Sequence, residues 1–156
     1  MRKRAKLSAS KMMNTAIHES GHVVANLHFG LRFEDVVLTD NGSGGEVNLW
    51  DNQGPKNVSE AEPYTIALFS GYAAAHVILG EELVVEGGDW EYCRLRVLPL
   101  FRSGARFDAF TDKMLKAAVK FARNQSAKIQ AVANVLLDRK RLSERDAKKI
   151  FVDRGL

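Results

Sequence analysis

Residues 15 to 22 read Thr-Ala-Ile-His-Glu-Ser-Gly-His, and they carry the chemistry of the chain. Two histidines four apart, His18 and His22, share one face of a helix a turn apart and can hold one metal ion between them. Glu19, directly after the first histidine, lies on the open side of such an ion. Zinc held by neutral imidazoles lowers the pKa of its water to about 7, and a carboxylate beside that water can take its proton during attack on a carbonyl. The chemistry expected of this stretch is peptide hydrolysis.

A helix must position these groups, and the flanks supply one. Ala16, Ile17, Val23, Val24, Leu27 and Phe29 form an apolar, helix-length stretch, so the motif faces a core rather than sitting in a loop. Ser8 and Ser10 are candidate N-caps, and the helix should stop near Gly30. Phe33 to Thr39 reads as a strand centred on Val36, Val37 and Leu38. Asp40 to Gly45 is a turn by composition, and Glu46 to Trp50 alternates polar and apolar residues as a half-buried strand does. A hairpin beside the metal helix is therefore expected.

Asp51 to Val58 is a polar loop with Gly54 and Pro55. Ser59 to Glu62 suits a capping box, Pro63 should fall in the first turn, and the helix should run to about Gly80. Its Ala67, Gly71, Ala73, Ala74 and Ala75 are small enough for close packing against another helix, such as the metal helix. Glu81 to Gly88 is a connection. Asp89 opens a short helical pattern, Trp90 to Leu98, that Pro99 stops. Ser103 and Gly104 mark a turn, apolar residues recur at helical spacing from Thr111 for one long helix or two in series, and Ser143 to Asp146 starts a last short helix.

These elements add up to a mainly α-helical α+β fold: the metal helix packed with further helices and a small β-hairpin or sheet. At 156 residues and 46% hydrophobic content, the chain suits one domain over 1–156, with 1–8 a flexible basic tail. No run of eighteen apolar residues offers a membrane span, and polar Ser8, Ser10 and Lys11 follow the basic start where a signal peptide would have its apolar core. The expected location is cytoplasmic. Cys93 stands alone, which excludes an internal disulfide and any cysteine-rich zinc site and suits a buried small residue. The net charge of +4 gathers at the ends, with twelve Lys and Arg against five Asp and Glu in residues 111–156. Because no nucleic-acid recognition motif appears among these charges, a solvated helix face is favoured over a nucleic-acid surface.

Catalytic zinc takes a third protein ligand and leaves a fourth position open. His28 reproduces the third histidine of a metzincin spacing, but Ala25 stands where that pattern needs glycine. With the helix continuing, His28 lies about 15 Å from His18 along the axis. His76 falls on the small-residue helix and suits a hydrogen bond in the core or at the surface. Glu86 and Asp89 both follow a connection that can return to the metal helix, and Asp89 could equally serve as an N-cap. Spacing leaves these two open.

The stretch from Thr15 through Ala25 resembles the HEAGH helix in the peptidase domain of FtsH-type ATP-dependent zinc metalloproteases. Ser70-Gly71-Tyr72-Ala73-Ala74-Ala75-His76-Val77-Ile78-Leu79-Gly80 is similar to that family's GGRAAEELIFG segment. Asp89-Trp90-Glu91, nine residues on, falls where the family has N-D-L-E, and residues 133 to 142 resemble its ALLEKETL helix and turn. The resemblance implies that His18, His22 and Asp89 bind Zn2+, that Glu19 is the general base, and that the strand with Gly45, Glu46, Val47 and Asn48 holds an extended peptide by its backbone. Tyr72, Ala75 and His76 depart from an Arg and two Glu, Gly88 replaces the Asn before the ligand, and the region between Arg94 and Thr111 is shorter than its counterpart.

No GxxxxGK[ST] phosphate loop occurs in these residues. The expected activity is thus a stand-alone zinc metalloendopeptidase acting on peptides or unfolded protein segments, with a separate ATP-dependent unfoldase and a homo-oligomer as possible partners and no membrane contact. Two rival readings are a non-catalytic peptide-binding or adaptor domain that retains the fold and a basic regulatory protein that binds nucleic acid.

Overall fold

The computed structural model describes residues 2–39, 44–49 and 54–156. Among them are six α-helices, a three-stranded antiparallel sheet and a 3₁₀ turn at Leu98–Leu100. The fold is α+β and mainly helical. The helices are α1 (Arg2–Phe29), α2 (Val58–Leu79), α3 (Gly87–Arg96), α4 (Gly104–Asn124), α5 (Ser126–Arg139) and α6 (Glu144–Arg154). The strands are β1 (Phe33–Leu38), β2 (Gly45–Leu49) and β3 (Arg141–Ser143), in the spatial order β2-β1-β3.

Helix α1 runs through the middle, with α2 on one side and α5 on another, and β2 against it. Residues 19–26 are buried without a break. A helix enclosed on all sides shows no simple apolar stripe, because every face has a packing partner. Helix α2 packs on α1 and α4. Its Ala67, Gly71, Ala73, Ala74 and Ala75 are all buried, which lets the neighbouring backbones approach closely.

Several boundaries differ from the sequence expectation. Helix α1 begins at Arg2, so its start lies ahead of both Ser8 and Ser10. Helix α2 begins at Val58 and is capped by Asn57, whose side chain accepts the Glu60 N–H at 2.9 Å, while the Glu60 carboxylate accepts the Lys56 N–H at 2.8 Å. The cap thus sits two residues before Ser59, and Pro63 falls in the second turn. There it leaves the Ser59 carbonyl without its helical donor, and Ser59 is exposed to water that can serve it. Helix α3 starts at Gly87 and ends at Arg96, with Pro99 inside the 3₁₀ turn beyond it. Ser103 caps α4, which starts seven residues before Thr111. The long helical pattern breaks into two helices in series at Gln125.

In the hairpin, β1 and β2 pair in antiparallel register with an irregularity between Phe33 and Asp35. That irregularity breaks the expected alternation on β2: Leu49 is exposed and Asn48 is half-buried. The Asn48 amide donates to the Asp35 carboxylate at 2.6 Å, and Asp35 also pairs with Arg141 of β3. One buried carboxylate thereby ties all three strands together. Turn residues 40–43, Trp50 at the expected end of β2, and 51–53 of the following loop lie outside the described residues. Strand β3 was not legible, being three residues long between two helices. Helix α6 starts where expected, with a reciprocal capping box between Ser143 and Asp146. Cys93 is fully buried and free, and burial pushes its thiol up to about 12. No described helix is long and apolar enough to cross a membrane.

Candidate metal centre

His18 and His22 come from the middle of α1, and Asp89 from the first turn of α3, 67 residues after His22. Their ligand atoms converge. The two Nε2 atoms are 3.0 Å apart, and Asp89 Oδ2 lies 3.4 Å from His18 Nε2 and 3.2 Å from His22 Nε2. Among the described residues these three form a group able to hold a metal ion. A tetrahedral zinc with bonds of 2.0–2.1 Å spaces its donors by about 3.3 Å. The donor set fits such an ion in both chemistry and spacing.

The backbone around the donors is shaped for them. The His22 Nδ1–H donates to the Ala67 carbonyl at 2.8 Å. A carbonyl only accepts, so this bond fixes the proton on Nδ1 and leaves the Nε2 lone pair for a metal. Gly71 of α2 faces both rings, and a Cβ there would stand 2.5 Å from His22 Nε2 and 2.8 Å from His18 Nε2. Only glycine leaves room for the imidazoles at this crossing. Tyr72 sets its ring edge-on against His18, with centroids 4.6 Å apart, and its hydroxyl donates to the Glu86 carbonyl. Tyr72 thus connects His18 to the start of the helix that delivers Asp89. Burial pushes the Tyr72 hydroxyl up to about 12, and the Asp89 carboxylate adds to this.

The electrostatics couple His22 tightly to Asp89. Burial disfavours a charged His22, but the adjacent Asp89 carboxylate outweighs it and pushes the imidazole up to about 9. Burial likewise opposes ionisation of Asp89, yet His22 and His18 hold its carboxyl well below the usual carboxylate range. A metal ion bound between them would take the place of the His22 proton. Glu19, only 7% exposed, is raised above the ordinary carboxylate value chiefly by burial, with the two histidines pulling the other way.

These groups open onto one cleft of about 860 Å³. Glu19 and the three candidate ligands line it on one side, and Gly45, Glu46, Val47 and Asn48 of β2 on another. Gly45 is needed there, since a Cβ would meet Glu19 Cγ at 2.8 Å. Strand β2 is an edge of the sheet, with β1 as its partner on one side.

The other candidates fall elsewhere. His28 is exposed at the end of α1, its ring against Phe29 and Phe121. His76 Nδ1–H donates to the Glu81 carbonyl at 2.7 Å. Glu86 is the N-cap residue of α3 without a side-chain cap bond, and Asp89 turns its carboxylate to the imidazoles instead of capping the helix. Ala67, Tyr72 and Asn26, all bordering the site, were not singled out as functional from sequence; Tyr72 alone carried a signal, as a departure inside the segment similar to the family.

In comparisons with known proteins, no family model and no curated protein matches the chain. The likeness to FtsH-type peptidases rests on the motifs quoted above.

Proposed function

We propose that this chain is a zinc metallopeptidase of FtsH-like type. The observation that carries this reading is the convergence of two imidazoles and a distant carboxylate at one wall of a cleft, with buried Glu19 beside them. His18, His22 and Asp89 would hold the ion, which when bound supplies Lewis acidity toward a carbonyl and toward water. Glu19, its basicity raised by burial, takes the proton of the attacking water and returns it to the leaving amine nitrogen. Tyr72 and the Ala67 carbonyl keep the rings oriented. The free edge of β2 aligns an extended peptide along the cleft by backbone hydrogen bonds.

With no phosphate loop in these residues, the substrates are peptides or unfolded segments, and folded substrates need a separate unfoldase. A free, buried Cys93 fits a reducing compartment, and we assign the activity to the cytoplasm. The test is digestion of unfolded casein by zinc-loaded protein. Wild type should cleave it, while Glu19→Gln should keep its metal and lose activity by about 10²- to 10⁴-fold. Equal cleavage by both proteins would sink the assignment.

A further inference from the structure

The cleft continues past the ligands along the last turn of α1. Asn26 stands one helical turn beyond His22, lines the same cleft, and is only 6% exposed. Its backbone carbonyl accepts the Leu31 N–H at 2.8 Å, which closes the helix end. Its side-chain amide has no hydrogen-bond partner among the described residues. In a continuing helix the residue four further on would cover it. That residue is Gly30, at φ +70° with open space where a Cβ would stand, and it lines the cleft as well. The helix therefore ends so that a buried amide is left facing the cavity.

Unsatisfied buried amides are costly, and an amide both donates and accepts. Cleft water can serve Asn26 while the site is empty of peptide; a peptide side chain that displaces this water must replace its hydrogen bonds or leave the amide unpaired. Arg32 is engaged by Glu144 through Nε at 2.9 Å and 3.0 Å, and Glu34 is exposed.

We propose that Asn26 is a specificity-determining residue. Its amide hydrogen-bonds an uncharged polar side chain of the substrate, Ser, Thr, Asn or Gln, at one position flanking the scissile bond, and rejects aliphatic side chains of similar size there. This rests on the peptidase reading.

The experiment uses fluorescein-labelled hexapeptide mixtures, each with one position fixed as Asn, Leu or Lys, in two readouts on the full zinc-loaded chain. Wild type is scored by cleavage and Glu19→Gln by binding, measured as fluorescence anisotropy. At one position Asn should be favoured over Leu by about 10- to 100-fold in both readouts, and Asn26→Leu should erase or invert that ratio. If circular dichroism shows Asn26→Leu unfolded, Asn26→Asp replaces it and should move the preference toward Lys. No cleavage by wild type would count against the peptidase reading, while the binding readout still scores Asn26. Equal binding of Asn and Leu mixtures at every position by Glu19→Gln, no binding of either, or an Asn26 variant with the wild-type preference would overturn the inference.

Discussion

Two carboxylates in this molecule draw basic groups to them across long stretches of chain, and they end differently. Glu144 accepts from Arg32 Nε, from Lys148 Nζ at 2.9 Å and from the Phe33 N–H at 3.0 Å. Asp89 has two imidazole nitrogens at more than 3 Å and a cleft in front of it. Lys and Arg cannot ligate a metal while charged, whereas histidine can give up its proton. The Glu144 cluster is saturated and closes the sheet against α6. The Asp89 cluster keeps exchangeable protons and an open side, which is the condition for binding a metal and a substrate.

The contrast can be broken in order of effect. Asp89→Ala should weaken zinc binding by more than about a hundredfold in a chelator competition and leave the fold intact, whereas Glu144→Ala should not change zinc affinity. Gly71→Ala forces a Cβ against the two rings. It should lower zinc affinity by about 10- to 100-fold and cost about 1–3 kcal/mol in denaturant unfolding. Glu144→Ala leaves the buried Phe33 N–H without its acceptor, with an expected loss of about 1–3 kcal/mol.

The two clusters should also differ in pH dependence, measured as Tm with and without zinc. Burial opposes ionisation of Glu144, but its hydrogen bonds outweigh that and lower its pKa to about 2. A depressed carboxyl contributes stability above its ordinary value of 4.5, and that contribution is lost as pH falls toward about 2. His22 runs the other way. Without metal its raised pKa contributes stability below 6.5, lost as pH rises through about 9. The extra Tm given by zinc should therefore grow from pH 6.5 to pH 9, since the metal no longer has to displace the proton. A zinc effect that shrinks over this range would contradict the assignment of His22 as a ligand.

The smallest effect expected is at Ser20, whose Oγ is buried with no hydrogen-bond partner among the described residues. Ser20→Ala removes an unsatisfied hydroxyl next to Glu19 in the chain and should leave stability unchanged or raise it by up to about 1 kcal/mol. A loss of more than that would show that the hydroxyl has a partner in solution.

The legible parts of this chain were those whose cause is local. His18 and His22 share a helix face because of their spacing alone, and Gly80 ends α2 with φ +71° as a helix-stop glycine does. The α6 capping box was readable for the same reason. Illegible features depend on partners far away. Spacing could not separate Glu86 from Asp89, because the direction of α3 is set by packing and by Tyr72 holding the Glu86 carbonyl. The exposure of Leu49 follows from an irregularity in its pairing with β1, and the third strand exists only because Val36 and Val37 are there to pair with it. Asn57 rather than Ser59 is the cap because its side chain takes the Glu60 N–H, while the Glu60 carboxylate takes the N–H of Lys56, the residue before the cap.

The most direct test of the account is the metal content of purified protein after zinc loading and desalting, measured by elemental analysis on wild type and Asp89→Ala side by side. One zinc per wild-type chain, and a small fraction of one in Asp89→Ala, is the expected result. No zinc in the wild type, or full zinc in both, would contradict the claim that α1 and α3 together build a metal centre.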